Sequence, residues 1–133
     1  MKILLAISIT AFLIACGPDP ERNGNSGNSS SSQQTKSYTV TTDGGKSCNV
    51  MIRQTTYGFF AEYTLSCPRN TKIGCFRIYD SSKFILATES GYVSASNYGL
   101  IASDGYGNGI IDIGENKNFN YIASVSLHET SCN

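Results

Sequence analysis

Two alternating runs, each with a cysteine at its far end, constrain this chain more than any other feature. In residues 48–55, Cys48, Val50 and Ile52 share one face, with Asn49, Met51 and Arg53 on the other. In residues 59–67, Phe59, Ala61, Tyr63, Leu65 and Cys67 point one way, and Phe60, Glu62, Thr64 and Ser66 the other. Side chains alternate across a strand, so each run reads as a strand with one buried face. Tyr57-Gly58 marks a turn between them. If that turn closes a hairpin, one register sets Ile52 against Tyr63, Val50 against Leu65 and Cys48 against Cys67. Directly opposed cysteines lie close enough for a bridge.

Only part of the 133-residue chain can build a core. Residues 1–16 are almost wholly apolar, and residues 17–37 are almost devoid of apolar side chains. Residues 38–133 mix Tyr, Ile, Val, Thr and Ser, and no window among them has a helical period. A domain of this size buries a low fraction of its surface and often needs covalent help. Residues 37–42 form a further candidate strand, closed by a turn at Asp43-Gly44-Gly45-Lys46. Residues 68–74 read as a loop, and residues 75–79 and 83–88 as a hairpin around Asp80-Ser81-Ser82. Weaker strand signals cover 91–96 and 100–103, and residues 110–113 and 121–127 complete the set. Short strands at this spacing predict an all-β domain over 38–133, a small antiparallel sandwich or barrel.

The N-terminal sixteen residues read as a sorting signal. Lys2 supplies a positive start, and residues 3–14 form an apolar run broken only by Ser8 and Thr10. A spanning helix needs about 20 apolar residues, so this run is too short to cross a bilayer and reads as a signal peptide over 1–15. Leu13-Ile14-Ala15-Cys16 resembles the lipobox of bacterial lipoproteins. The resemblance implies cleavage before Cys16, a diacylglyceryl group on its sulfur and acylation (palmitate or a similar chain) of the new amine. Two or three such chains anchor firmly where one holds marginally. Gly17, where an inner-membrane retention signal would carry Asp, implies delivery to the outer membrane of a bacterial cell envelope.

Residues 16–37 then form the lipidated cysteine and a spacer. Its sequence after Cys16, GPDPERNGNSGNSSSSQQTKS, is built from Ser, Asn, Gly and Gln, stiffened near its start by Pro18 and Pro20. It offers nothing to bury against the entropy of ordering. A flexible segment of this length spans roughly 25 Å.

Export carries Cys48, Cys67, Cys75 and Cys132 into an oxidising compartment, where two disulfides are expected. The hairpin register favours Cys48–Cys67 with Cys75–Cys132. The rival pairing, Cys67–Cys75 with Cys48–Cys132, would close the short loop around Pro68. No CxxC spacing suggests zinc.

Residues 104–115, DGYGNGIIDIGE, can be laid on a calcium loop, the one candidate cofactor site. Asp104, Asn108, Asp112 and Glu115 would supply oxygens, with Gly109 at the sharp turn and Ile111 at the apolar position. Tyr106 stands where an oxygen ligand is usual, and the flanks are not helical. The alternative is a glycine-rich hairpin loop in which Asp104 and Asn108 bond local amides.

Charge and motifs exclude several functions. Residues 38–133 hold seven basic and eight acidic residues and no basic stripe, which argues against a nucleic-acid partner. His128 is the only histidine, no GxSxG stands in the sequence, and Glu62, Asp80, Glu89, Asp112, Glu115 and Glu129 are scattered. No catalytic residues are assigned. Tyr57, Tyr92, Tyr98 and Tyr106 each adjoin a glycine, as suits binding loops that need large contact area at low entropic cost. They equally suit packing in a small β-domain. The expectation is a lipid-anchored envelope protein whose β-domain is a non-catalytic binding module for an envelope or extracellular protein or glycan. The alternative is an inhibitor of an exported lysozyme or protease, with an enzyme behind it.

Overall fold

The computed structural model describes residues 33–115 and 117–132. The leader over 1–15, Cys16 and the spacer as far as residue 32 lie outside the described residues. Seven strands follow in order: β1 (Thr35–Thr41), β2 (Ser47–Gln54), β3 (Phe60–Ser66), β4 (Cys75–Tyr79), β5 (Ile85–Ser90), β6 (Tyr106–Asp112) and β7 (Ser124–His128). β1 begins at Thr35, so three residues expected in the spacer belong to the first strand.

β2 and β3 pair antiparallel with Val50 opposite Leu65 and Ile52 opposite Tyr63, as the alternation requires. β1 and β6 flank them to give one sheet in the order β1-β2-β3-β6, and a second sheet runs β5-β4-β7. All of these strand pairings are antiparallel. The inner faces share one core. Val50, Ile52, Ala61, Tyr63 and Leu65 come from the larger sheet, and Phe76, Ile78, Ala87, Val125 and Leu127 from the smaller. The rings of Tyr63 and Phe76 lie 5.0 Å apart and tilted, a favoured aromatic contact. β1 neighbours β7 and β5 neighbours β6, so the strands follow the order 1-2-3-6-5-4-7 around the sandwich.

The register gives the sandwich two distinct ends. At the proximal end Thr35 lies opposite Arg53, Phe60 opposite Asp112, and Tyr79 opposite Ser124 and Ile85. The chain arrives here from residue 32. The Lys36 ammonium donates to the Ile122 carbonyl at 2.6 Å, tying the start of β1 to the residues ahead of β7. Residues 55–59, 80–84 and 113–123 connect strands at this end. At the distal end Thr41 meets Ser47, Ser66 meets Asn49 and Tyr106, and Cys75 meets Ser90 and His128. Residues 42–46, 67–74 and 91–105 connect strands there.

Both disulfides sit at the distal end. Cys48–Cys67 joins the start of β2 to the residue after β3, with Cα atoms 4.3 Å apart. Cys75–Cys132 fixes the C-terminal residues to the start of β4, and the Arg77 guanidinium donates to the Cys132 carbonyl. The pairing favoured by register is the one present. The rival is excluded because Cys67 is bonded to Cys48 and Cys75 to Cys132.

Two expected strands take other forms, and a third starts late. Residues 91–96 and 100–103 form turns and bends, with isolated bridges between them and nearby residues, Val93 to Tyr98 and Ile73 to Gly99. Reciprocal Ser94–Asn97 backbone bonds curl the first of these stretches. The strand expected over 121–127 is β7, which starts only at Ser124 because Tyr121 ends a 3₁₀ turn (Phe119–Tyr121) capped by the Asn118 side chain.

Two measurements check this arrangement. A loop closed by a bridge loses unfolded-state entropy in proportion to the logarithm of its length. The bridges span 19 and 57 residues. Paired Cys→Ala removal of Cys48–Cys67 is expected to cost about 3 kcal/mol, and of Cys75–Cys132 about 4 kcal/mol, read from urea unfolding; the opposite ranking would contradict the assignment. Burial raises the Tyr38 hydroxyl above its usual pKa of 10.0, and burial, then the nearby Glu89 charge, raises that of Tyr63. A pKa raised on folding contributes stability below the unfolded value that is lost as pH climbs through the folded one. The urea midpoint should therefore hold up to about pH 10 and fall above it; a rise would contradict burial of these hydroxyls.

Candidate functional site

The distal loops are laced together by backbone bonds. The Ile73 amide donates to the Tyr98 carbonyl at 3.1 Å and the Leu100 amide returns to the Ile73 carbonyl at 2.9 Å. The Asn70 amide bonds the Ser103 carbonyl, and the Cys67 amide the Gly105 carbonyl, both at 2.8 Å. Gly105 is required here: its φ is +90°, and a Cβ would run into the Cys67 carbonyl oxygen. Residues 67–74 and 91–105 thus behave as one braced unit, with Cys48–Cys67 at its root.

Three of the four sequence-predicted tyrosines belong to this end. Tyr92 is 74% exposed, beside a shallow groove of about 350 Å³ shared with Val93, Glu129 and Thr130. Tyr106 is 50% exposed at the start of β6, on the outer face of the larger sheet. An open groove of about 390 Å³ runs from it past Asn108 to Ile110, Glu62 and Arg53. Tyr98 has a different role. Its hydroxyl donates to the Asn70 side chain at 3.1 Å, and the Lys72 ammonium stands 5.5 Å from its ring while bonding the Ser94 carbonyl at 2.7 Å. Tyr98 is a brace between the loops. Tyr57 lies in the β2–β3 turn at the opposite end, so the four do not form one surface.

The residues laid on a calcium loop are not brought together. Residues Tyr106–Asp112 are a strand paired with β3, not a loop wrapped around an ion. Six steps of about 3.3 Å place the two ends of that strand about 20 Å apart. The Asp104 carboxylate caps the Tyr106 amide at 3.0 Å at one end, and that of Asp112 caps the Gly114 amide at 2.7 Å at the other. Asn108 is exposed in mid-strand, and Glu115 lies beyond the strand. Among the described residues no group of three His, Cys, Asp or Glu side chains is placed to hold a metal. The glycines that mimicked a calcium loop have another cause. Gly107 and Gly109 take inward positions opposite Leu65 and Tyr63. A Cβ on Gly109 would lie 2.7 Å from the Tyr63 hydroxyl, and one on Gly107 would strike the Leu100 carbonyl.

Sequence reasoning missed the partners of His128. Its Nε2 lies 3.4 Å from Ser126 Oγ and its Nδ1 3.7 Å from an oxygen of Asp43. Ser126 and His128 share the outer face of β7 by strand period, and Asp43 arrives from the β1–β2 turn. The order Ser–His–Asp is that of a hydrolytic triad, but the spacings exceed the 2.6–3.2 Å at which such groups exchange protons, and Ser126 Oγ is 3.0 Å from the Tyr79 hydroxyl. Asp43 also accepts the Glu129 amide at 2.8 Å, and the buried Thr42 hydroxyl donates to the Glu129 carboxylate at 2.5 Å. These bonds make a polar clasp between the β1–β2 turn and the end of β7.

Gly109→Ala is expected to lower stability by about 1–3 kcal/mol through overpacking against Tyr63, while added calcium leaves the melting temperature unchanged. A calcium-dependent rise, lost in Asp104→Ala, would restore the metal loop. Comparisons with protein-family models, curated proteins and solved structures find no match to this chain.

Proposed function

We propose that this chain is a lipid-anchored protein of the bacterial cell envelope, held by Cys16, whose β-domain is a non-catalytic binding module facing away from the membrane. One observation carries the reading: the chain arrives at one end of the sandwich, while both disulfides and the longest loop, residues 91–105, lie at the other. Recognition residues are commonly carried on loops held by a rigid scaffold. Here that scaffold presents Tyr92 and Tyr106, with Tyr98 bracing the loops beneath.

The partner best suited to this surface is a protein. Tyrosine gives wide contact area at low entropic cost, the grooves beside Tyr92 and Tyr106 are shallow and open, and the chain has no Trp to stack on a sugar. The long Ser–His–Asp spacings, with Ser126 shared with Tyr79, support the non-catalytic reading.

The test is site-specific photocrosslinking in the native envelope. A photoreactive residue at Tyr92 or Tyr106 is expected to trap one discrete partner, and the same residue at Thr39 or Ser82 is not. Equal products from all four positions, or none from any, would contradict a distal contact surface.

A further inference from the structure

The proximal end is unusually apolar for a surface that carries no core. Of the eight large hydrophobic side chains most exposed among the described residues, Tyr57, Phe84, Ile85, Ile110 and Tyr121 lie at or beside this end. Tyr57 sits in the β2–β3 turn and is 68% exposed; Phe84 sits in the β4–β5 turn and is 71% exposed. Tyr121 belongs to the 3₁₀ turn that Lys36 holds beside β1. Tyr57, Phe60 and Ile110 also line an apolar groove of about 420 Å³.

These side chains are held outward by well-bonded turns. The Asp80 carboxylate accepts the amides of Ser82 at 2.8 Å and Phe84 at 2.9 Å, and Lys83 adopts φ +73° to complete the turn.

We infer that the proximal end is a membrane-docking surface, with Tyr57, Phe84 and Tyr121 seated in the headgroup layer of the bilayer that holds Cys16. The inference rests on the proposed lipid anchor. Three observations choose a bilayer over a protein partner. First, Gln34 and Thr35 lie at this end, and only seventeen residues separate Gln34 from Cys16. Seventeen residues reach no more than about 60 Å even when fully extended, so a weak surface affinity acts at high effective concentration. Second, Tyr57, Phe84 and Tyr121 stand on three separate turns around one end, which fits a soft planar surface. Third, Lys83 and Lys117 are exposed at this end, and of the nearby carboxylates Asp80, Asp112 and Glu62 bond local amides or Arg53, which leaves Glu115 exposed. Aromatic side chains with flanking lysines are the residues that settle at a membrane interface.

The absence of Trp from the chain makes the test clean. Full-length lipidated protein carrying Phe84→Trp, or Tyr92→Trp at the distal end, is reconstituted into phosphatidylcholine vesicles with and without brominated acyl chains. Both positions are exposed, so neither change disturbs the core. The expected result is quenched, blue-shifted emission from the Phe84→Trp protein and unquenched emission from the Tyr92→Trp protein. Co-flotation with vesicles but no quenching at position 84, or equal quenching at both positions, overturns the docking surface and leaves the anchor standing. Failure to co-float overturns the anchor itself.

Discussion

Val50 opposite Leu65 and Ile52 opposite Tyr63 is the arrangement on which the other strands depend. A slip of one residue would turn every buried side chain of β2 to solvent and carry Cys48 away from Cys67. With the register set, β1 and β6 add to either side of the pair, and Tyr63 meets Phe76 of the second sheet. A domain this small gains much of its margin from such coincidence of core and cross-link. A few kilocalories per bridge are comparable with the whole net stability expected of it.

The two ends of the sandwich are built differently. Two short turns and the connection over 113–123, with its 3₁₀ turn, close the proximal end, where exposed Tyr57, Phe84 and Tyr121 gather and the chain arrives. At the distal end the longer connections are laced by backbone bonds, pinned by both disulfides and clasped by Thr42, Asp43 and Glu129. Under the proposed anchor this polarity has a purpose. In the proposed arrangement the apolar end faces lipid, and the cross-linked end holds its loops still for a partner, so that little ordering cost remains on binding.

How legible this was in the sequence depended on how plainly each strand showed its two faces. β2 and β3 alternate without interruption, so their span, faces and bridge could all be read from residues 48–67. β6 was read four residues short because its inward positions at 107 and 109 are glycines, chosen for close approach to Leu100 and Tyr63, and a missing side chain leaves no hydrophobic period. The same glycines created the likeness to a calcium loop. The strand signal at 91–96 failed because local Ser94–Asn97 bonding outcompeted a ladder, and that at 100–103 because the Ala102 amide and carbonyl bond Tyr106 and Gly105 in a tight turn. The setting of His128 was invisible for another reason: Asp43 meets it across a separation of 85 residues, which only the tertiary fold reveals. Tyr57 could not be separated from the other three tyrosines by its Gly neighbour, since local composition does not say which end of a sandwich a turn occupies.

The central proposal is that lipid at Cys16 holds the β-domain at a membrane. Intact and peptide-level mass spectrometry of the mature polypeptide from its native membrane tests it most directly. The account predicts an N-terminal residue 16 bearing a thioether-linked diacylglyceryl group. A mature chain that begins at another residue, or one in which that sulfur carries no lipid, would contradict it.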